Sequence, residues 1–436
     1  MSAASIALLV ALVLLLISST PVAIALGLAA FVYFYYYTLI PLTQIPDQLV
    51  NALNTFPLMA IPFFIFAANI MSEGGISRRL TEAANAVVGQ FRGGLAMTAV
   101  LSCMFFAAIS GSSAATVVAV GTLLIPAMVR SGYGRNFSTG LVATSGSLGI
   151  LIPPSIPLII YGIATEQSIG DLLIAGVVPG LFAGLLLLGL VVVISRRRNF
   201  GGGDGEELAP RSTRDRLRAF RDAFLSLLLP VFVLGGIYGG VFTPTEAAAM
   251  AIFYALIVSL FFYREIGLRD LPRITVKSTR MSAMIMFIIA NGVLFSFVLT
   301  REQIPNEVTQ LFLNLDLAKW AFLLVVNILL LVTGCFMETS SAILILAPIL
   351  LPVATELGVD PIHFGVIMVM NLEIGMITPP LGVNLFVASG LTGMSVMRVA
   401  KAALPSALVL LFALFIVTYV PDLALAFVET AETKGG

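Results

Sequence analysis

Charged residues, histidine, tryptophan and cysteine are all scarce in this chain of 436 residues. Only 11% of the residues are charged, while 59% are hydrophobic, and there are one histidine, one tryptophan and two cysteines. A soluble domain carries about a quarter charged residues, so this composition predicts a protein embedded in the lipid bilayer. One histidine excludes a multi-histidine metal site, two cysteines exclude a thiolate cluster, and a net charge of zero removes any case for nucleic acid as a partner.

Long apolar runs account for most of the chain. A helix crosses the hydrocarbon core of a bilayer with about 20 apolar residues, and several runs reach or approach this length. Residues 4–37 are too long for one straight span and too short for two comfortable ones, so the path of this segment stays open. The clear candidate spans are residues 57–70, 171–194, 219–240, 245–263, 282–299 and 399–420.

Arginine and lysine residues cluster in two loops, at residues 196–221 and 264–280. Short basic loops stay on the cytoplasmic side of a membrane, so both loops are predicted to be cytoplasmic, with two spans between them. The first loop contains a stretch rich in Gly, Asp, Glu and Pro, which is typical of a flexible linker. We therefore predict a cytoplasmic linker at residues 201–218 between a first half, 1–200, and a second half, 219–436.

Two motifs occur once in each half and in the same order. Ser-Ser-Ala stands at residues 112–114 and again at 340–342, an offset of 228. The only two Pro-Pro doublets follow in GILIPP at residues 149–154 and in GMITPP at 375–380, an offset of 226. Two motifs at nearly one spacing indicate an internal repeat rather than a chance recurrence.

The charges that flank the repeats predict that they are inverted. Arg92 and Arg130 lie on either side of the first Ser-Ser-Ala motif, so residues 93–130 should enter and leave the membrane on one side as a re-entrant helical hairpin. A span starting at the cytoplasmic Arg280 precedes residues 317–354, so the second hairpin should enter from the opposite face. The predicted fold is an all-α polytopic membrane protein with inverted repeats, the architecture of many secondary transporters.

Double prolines interrupt the long apolar segment that follows each hairpin. Proline lacks a backbone donor and forbids a continuous helix, so residues 136–165 and 361–391 are predicted to be broken transmembrane helices. The freed carbonyl and hydroxyl oxygens suit Na⁺, and one hairpin tip with one joint could form a Na⁺ site in each half. Proline kinks and serine contacts that serve only packing are also common in membrane helices, and this alternative stays open. The candidate ligands are Ser110, Ser112, Ser145, Gly149 and Pro153 in the first site, and Thr339, Ser340, Asn371, Gly375, Thr378 and Pro379 in the second.

Ionisable residues inside apolar runs are rare and costly, at roughly 3 kcal/mol or more each near the bilayer centre. Glu338 lies at the second hairpin tip and Glu373 lies just before the second joint. Arg301 follows a span, and arginine is suited to bidentate capture of a carboxylate. An arginine at a helix end can also extend to the lipid headgroups, and this alternative stays open. The candidate substrate-binding residues are Arg301, Glu338, Ser113 and Gly149.

Four other residues have simpler interpretations. His363 follows Asp360 and Pro361 and is expected at the start of a helix near the outer surface. Glu246, in TPTEAAA, is expected to cap a helix N-terminus. Cys103 and Cys335 lie in the first arms of the two hairpins and are expected to be small packing residues.

The motifs together resemble those of one transporter family over nearly the whole chain. The chain is similar to the large membrane subunit of tripartite ATP-independent periplasmic (TRAP) transporters. The segments that carry the resemblance are SGSSAATVVAVGTLLIPAMVRSGY, GSLGILIPPSIPLIIYG, FTPTEAAA, FVLTREQIP, METSSAILILAPILLP and MNLEIGMITPPLGVNLFVASG.

The resemblance implies Na⁺-coupled symport of organic acids, such as C4-dicarboxylates, sialic acid or related carboxylates, across the bacterial inner membrane. It implies an elevator mechanism, a periplasmic binding protein that delivers the substrate, and Na⁺ as coupling ion, with no enzyme activity and no organic cofactor. It also implies a small four-span membrane subunit. Because the chain starts at once with large-subunit sequence, we expect that subunit to be a separate polypeptide.

Two other functions compete with this interpretation. A stand-alone ion-coupled carboxylate transporter could have the same inverted hairpins, and only the family resemblance favours dependence on a binding protein. An intramembrane hydrolase could use Ser112 or Ser113 as nucleophile, but it needs a base within hydrogen-bond reach. The one histidine, His363, is expected on the opposite side of the membrane, which disfavours a hydrolase.

Overall fold

The chain folds into helices throughout its described part. In the computed structural model, residues 3–18, 20–38, 40–198, 200, 213–314 and 318–428 are described, and they contain no β-strand. Most of the predicted linker, residues 201–212, lies outside this part. The α-helices are α1 (Ala3–Ile17), α2 (Val22–Tyr36), α3 (Gln44–Leu53), α4 (Ala60–Glu73), α5 (Ile76–Val88), α6 (Gly94–Ser110), α7 (Ser113–Arg130), α8 (Arg135–Leu148), α9 (Ile156–Thr165), α10 (Ile169–Arg198), α11 (Thr213–Tyr238), α12 (Pro244–Ile257), α13 (Leu271–Arg301), α14 (Ile304–Asn314), α15 (Lys319–Phe336), α16 (Thr339–Glu356), α17 (Pro361–Gly375), α18 (Val383–Thr392), α19 (Val396–Tyr419) and α20 (Asp422–Leu425).

Nine helical segments within the described residues are long and apolar enough to cross a membrane, or ten if the bent pair α8 and α9 is one span. All six clear candidate spans from the sequence coincide with members of this set, which confirms the all-α membrane fold. The N-terminal segment, whose path stayed open, forms two short helices, α1 and α2, that meet at Pro21 and pack against each other. Proline fits this junction because at the start of a helix its missing backbone donor removes no intrahelical hydrogen bond.

Each predicted hairpin consists of two helices that meet at a polar tip. Helices α6 and α7 are joined at Gly111, whose φ of +59° is a conformation that favours glycine. A Cβ at this position would lie 2.7 Å from Cγ1 of Ile156, so the tip is packed against the first joint. Helices α15 and α16 are joined at Met337 and Glu338.

The two helices predicted to be broken are interrupted at their double prolines. Helix α8 passes through one 3₁₀ turn, Gly149–Leu151, and continues as α9 at an angle of 44°. Helix α17 ends at Gly375, and α18 starts at Val383. The Gly382 amide of this second joint donates a hydrogen bond of 3.0 Å to the Cys335 carbonyl in the second hairpin. Each joint is therefore held against the hairpin of its own half.

The hairpins and interrupted helices pack on one another across the two halves. Helix α16 contacts α9, α17 contacts α8 and α9, and α18 contacts α7. A second group of helices surrounds α13, which contacts α2, α3 and α4 as well as the hairpin arm α16. The functional site lies where these two groups meet.

Candidate functional site

A cavity of about 510 Å³ lies where both hairpin tips, both joints and the helices α2 and α13 converge. Its walls on the α2 and α13 side are apolar, and its polar groups come from the two tips and from α17. The lining residues are Pro21, Val22, Ala23 and Ile24 of the α1–α2 junction, Met281, Met284, Ile285, Phe287 and Ile288 of α13, Gly111, Ser112, Ser113 and Ala114 of the first tip, Ile150, Ile156 and Pro157 of the first joint, Glu338, Ser340 and Ser341 of the second tip, and Glu373, Met376 and Val383 near the second joint.

Glu338 is exposed within this cavity and is the N-cap residue of α16. Its carboxylate accepts a hydrogen bond of 2.9 Å from the Ser340 hydroxyl and one of 3.3 Å from the Ser341 amide. The positive end of a helix dipole stabilises a carboxylate at this position. The predicted tip residue Glu338 therefore lines the cavity with its charge compensated by its own helix.

Glu373 is 2% exposed and reaches the cavity from the last turn of α17. Its Oε1 accepts a hydrogen bond of 2.7 Å from the Thr339 hydroxyl. The Thr339 hydroxyl lies 3.1 Å, and the Ser113 hydroxyl of the first tip 3.9 Å, from Sδ of Met376, so the two tips meet beside this carboxylate. Its Oε2 has no hydrogen-bond partner within the described part of the chain. Glu373 thus brings the two halves together at one buried carboxylate.

The residues predicted for the first Na⁺ site gather at the first tip and joint. Ser110 ends α6 and donates a hydrogen bond of 3.2 Å to the Ser112 carbonyl. Ser145 is fully buried in α8, and its Oγ has no hydrogen-bond partner within the described residues. A Cβ at the adjacent Gly146 would lie 3.3 Å from the Ser113 carbonyl, so α8 passes close to the tip.

The remaining predicted residues of the first site pack rather than line the cavity. A Cβ at Gly149 would lie 2.2 Å from Cβ of Ala107, so the close approach of the joint to α6 requires glycine. Pro153 belongs to the same joint and precedes a cis peptide bond to Pro154. Gly149 was also predicted to bind substrate, but the structure places it against α6, and the cavity is lined by its neighbour Ile150 instead.

The second predicted Na⁺ site extends from the tip into a buried polar chain. The Asn371 amide donates to Oδ1 of Asn327, and the Asn327 amide donates to Oγ1 of Thr418 at 3.1 Å. Oδ1 of Asn371 has no hydrogen-bond partner within the described residues. Thr378 already donates a hydrogen bond of 2.8 Å to the Ile374 carbonyl. Thr339 and Ser340 lie at the tip itself, while Gly375 and Pro379 are part of the joint, with a cis peptide bond between Pro379 and Pro380.

The two joints are linked directly by Asn384 and Ser147, two polar residues that the sequence also offers as candidates at the predicted breaks. Asn384, at the start of α18, donates a hydrogen bond of 2.7 Å to the Ser147 hydroxyl in α8. Its Oδ1 has no partner within the described residues. Asn327 and Thr418, which position Asn371, are not among the sequence candidates, although a polar residue inside an apolar span is the signal that could have found them.

Arg301, a candidate substrate-binding residue, is not among the residues that line this cavity. It is exposed in the last turn of α13, thirteen residues beyond the cavity-lining Ile288, or about 20 Å along a helix. Arg301 lies near the Tyr33 hydroxyl, which donates a hydrogen bond of 2.7 Å to Glu302. Its neighbours are therefore the helices around α13, not the hairpin tips.

Four further residues can now be placed. His363 lies in the first turn of α17, as expected for a residue at a helix start, and its amide donates a hydrogen bond of 2.9 Å to Oδ1 of the N-cap Asp360. It is 1% exposed, and its Nε2 lies 2.8 Å from the Val417 carbonyl because α19 covers this face of α17. Glu246 forms a capping box with Thr243, as predicted. Cys103 and Cys335 are buried free thiols in the hairpin arms α6 and α15, also as predicted.

The oxygens at the joints fit a bound Na⁺. Ser145, Asn371 and Asn384 are buried, and each has a side-chain oxygen without a hydrogen-bond partner in the described region. Such an oxygen costs about 1–3 kcal/mol when nothing replaces its water. A hard monovalent cation bound by hydroxyl, amide and carbonyl oxygens would satisfy them.

Interrupted helices, intramembrane hairpin tips and a cavity between two helix groups define a polytopic membrane transport protein. A solved transporter, YdaH of Alcanivorax borkumensis, described as having an unusual topology, has the same fold. It aligns with a TM-score of 0.63 and 16% sequence identity over 87% of this chain and 88% of that one.

The chain belongs to the DctM component family of the tripartite ATP-independent periplasmic transporters, because a sequence model of that family matches residues 9–423. The C4-dicarboxylate TRAP transporter large permease protein DctM of Pseudomonas aeruginosa is 53% identical over 85% of this chain and 86% of its own length. The protein of the same name from Rhodobacter capsulatus is 47% identical over 89% and 90%. The isethionate TRAP transporter permease protein DctMQ of Oleidesulfovibrio alaskensis is 45% identical over 89% of this chain but 60% of its own length.

Proposed function

We propose that this protein couples the inward movement of Na⁺ to the uptake of organic acids, with C4-dicarboxylates as the first class to test, across the bacterial inner membrane. The observation that carries the proposal is that Ser145, Asn371 and Asn384, in the interrupted helices on either side of the joints, each have a buried side-chain oxygen without a hydrogen-bond partner within the described residues. The similarity to C4-dicarboxylate permeases over most of their length supports the substrate class.

The substrate carboxylates bind at the tips in this proposal. Helices α7 and α16 have Ser112 and Glu338 as their N-cap residues, and a helix N-terminus presents amides and a positive dipole end to an anion. Because Glu338 occupies the N-terminus of α16, the first tip is the main anion site, where the Ser112 hydroxyl supplies a further donor. Arg301 is left out of this proposal because it does not line the cavity.

Transport follows an elevator mechanism in this proposal, with the hairpins and interrupted helices moving together against the group around α13. The mutual packing of α8, α9, α16 and α17 supports their movement as one body. The side chains that α13 contributes to the cavity, including Met284 and Ile288, are apolar. This supports the movement, because no hydrogen bonds to these side chains have to be broken.

A periplasmic binding protein delivers the substrate, and a small membrane subunit accompanies this chain. The family description names a tripartite periplasmic system, which supports both partners. We propose that the small subunit is a separate polypeptide, although the DctMQ relative is considerably longer than the part that this chain matches.

Reconstitution into liposomes tests this function. The chain with its small subunit should take up labelled C4-dicarboxylate only when an inward Na⁺ gradient and the binding protein are both present. Replacing Na⁺ with K⁺ or choline at equal ionic strength should reduce uptake to the level of empty liposomes. Uptake without Na⁺ would contradict the proposal, and Na⁺-dependent uptake without a binding protein would identify a stand-alone carboxylate transporter instead.

The Ser145→Ala variant tests whether Ser145 is a Na⁺ ligand or only a packing residue. If Ser145 serves only packing, removing an unpartnered buried hydroxyl leaves stability unchanged or improves it and does not alter Na⁺ dependence. As a ligand, its loss should raise the Na⁺ concentration for half-maximal uptake by about tenfold, which corresponds to about 1.4 kcal/mol. Ser102→Ala is the matched control, because Ser102 in α6 is also buried with an unpartnered hydroxyl but belongs to neither joint. A Na⁺ dependence equal to that of Ser102→Ala would remove Ser145 from the site.

A further inference from the structure

We infer that Glu373 is the charged ligand of an additional monovalent cation site, at which both halves meet beside the transport cavity. The cation would be bound between the Glu373 carboxylate, the Thr339 hydroxyl and the Ser113 hydroxyl. This inference rests on the proposed Na⁺-coupled function, and Na⁺ is the cation that it assigns. Unlike the two joint sites, this one takes ligands from both repeats, and it shares Thr339 with the second joint site.

The charges around the cavity are unbalanced. Among the described lining residues, Glu338 and Glu373 are the only ionisable ones, and neither forms an ion pair with a described basic residue. Glu338 is compensated by the N-terminus of α16 and by the Ser340 and Ser341 donors. An anionic substrate must nevertheless enter the same cavity, so the second carboxylate needs a positive partner of its own.

Glu373 has the opposite environment to Glu338. It lies in the last turn of α17, where the negative end of the helix dipole disfavours a carboxylate. It is 98% buried, with one oxygen bonded to Thr339 and the other without a partner within the described residues. The closest basic side chain on α17, His363, stands ten residues away at its other end and contacts Val417.

A bound cation would balance the negative charge of Glu373 and would give its unpartnered oxygen a ligand. Carboxylate and hydroxyl oxygens are hard ligands of the kind that Na⁺ prefers. The hydroxyl oxygen of Thr339 keeps lone pairs for a cation while its hydrogen bonds to Glu373. The Ser113 hydroxyl reaches the same place from the other tip, because it and the Thr339 hydroxyl both contact Sδ of Met376, at 3.9 and 3.1 Å. Because Ser113 and Thr339 are on separate hairpins, the cation would hold the two tips together at Glu373. It would also neutralise the Glu373 charge, which would lower the repulsion of an anionic substrate in the cavity.

Thermal unfolding of the purified full-length protein in Na⁺ tests the assignment without measuring transport. The increase of unfolding free energy with the logarithm of the Na⁺ concentration counts the ions bound by the folded state. Choline chloride keeps the ionic strength constant. For Glu373→Gln, which retains the shape and an acceptor for Thr339, we expect this count to fall by about one ion relative to the wild type. Glu356→Gln, an exposed carboxylate on α16, is the control and should keep the wild-type count.

Several outcomes distinguish the possibilities. An unchanged ion count in Glu373→Gln overturns the inference while leaving the proposed function intact. A wild type that Na⁺ neither stabilises nor activates contradicts the proposed function itself. If acid stabilises the wild type, and Glu373→Gln abolishes that effect without changing the Na⁺ dependence, then Glu373 binds a proton. This result also overturns the inference. If Glu373→Gln does not fold, Ser113→Ala, which removes a neutral ligand from the same site, should raise the Na⁺ concentration for half-maximal stabilisation by about tenfold, and an unchanged value would overturn the inference.

Discussion

Gly334→Ala is expected to lower the stability of the protein by about 1–3 kcal/mol and to abolish most transport. Gly334 lies in α15 where it crosses α17, and a Cβ there would lie 2.5 Å from the Leu372 carbonyl and 3.0 Å from Cα of Gly375. Since backbone atoms cannot move aside as a side chain can, the two helices would have to separate. The displaced segment carries Glu373 and leads into the second joint, so the site would be distorted along with the packing.

The unfolding temperature of the purified protein and its uptake in liposomes measure both effects. Gly189→Ala is the matched control, because Gly189 lies inside α10 and a Cβ there would have no neighbour within 4 Å. That change should be neutral or stabilising by up to about 1 kcal/mol, because alanine is the better helix former. Equal unfolding temperatures for the two variants would show that α15 and α17 do not cross as closely as described.

Asn371→Ala is expected to raise the Na⁺ concentration for half-maximal uptake by about tenfold or more, because it removes a buried oxygen predicted to bind Na⁺. The structure offers a sharp control in Asn327→Ala. That variant breaks the same hydrogen bond between Asn371 and Asn327 but leaves Oδ1 of Asn371 in place. Both variants should lose stability, because each leaves a buried amide without its partner.

The difference in Na⁺ dependence between Asn371→Ala and Asn327→Ala shows whether Asn371 binds Na⁺. The Na⁺ dependence of uptake, measured at fixed substrate concentration, should shift much further for Asn371→Ala than for Asn327→Ala. Equal shifts would indicate that Asn371 acts through packing and the polar chain to Thr418. In that case the second Na⁺ site would have to be built from Thr339 and Ser340 without it.

Much of the fold could be predicted because short sequence motifs determine where its helices are interrupted. Pro-Pro doublets forbid a helix whatever surrounds them, and both interrupted helices are broken there. The Ser-Ser-Ala motifs mark both hairpin tips, and Gly111 adopts the left-handed conformation that such a turn requires. These features depend on short stretches of chain, so one sequence suffices to find them.

The parts that could not be predicted depend on which helices become neighbours. Arg301 belongs to the cavity-lining helix α13, but it lies at the far end of this long helix, away from the tips. His363 stands at a helix start as predicted, but nothing in the sequence near it indicates that α19 covers it. The bond between Asn384 and Ser147 joins residues 237 positions apart, and no local pattern indicates it.

Simultaneous measurement of Na⁺ and substrate flux into liposomes tests the central claim most directly. Labelled Na⁺ and labelled C4-dicarboxylate would be followed together, with the binding protein present and the membrane potential clamped. The account predicts that a Na⁺ gradient alone drives substrate accumulation, that Na⁺ and substrate enter in a fixed ratio, and that Asn371→Ala weakens both fluxes together. Substrate accumulation without accompanying Na⁺ entry would contradict it.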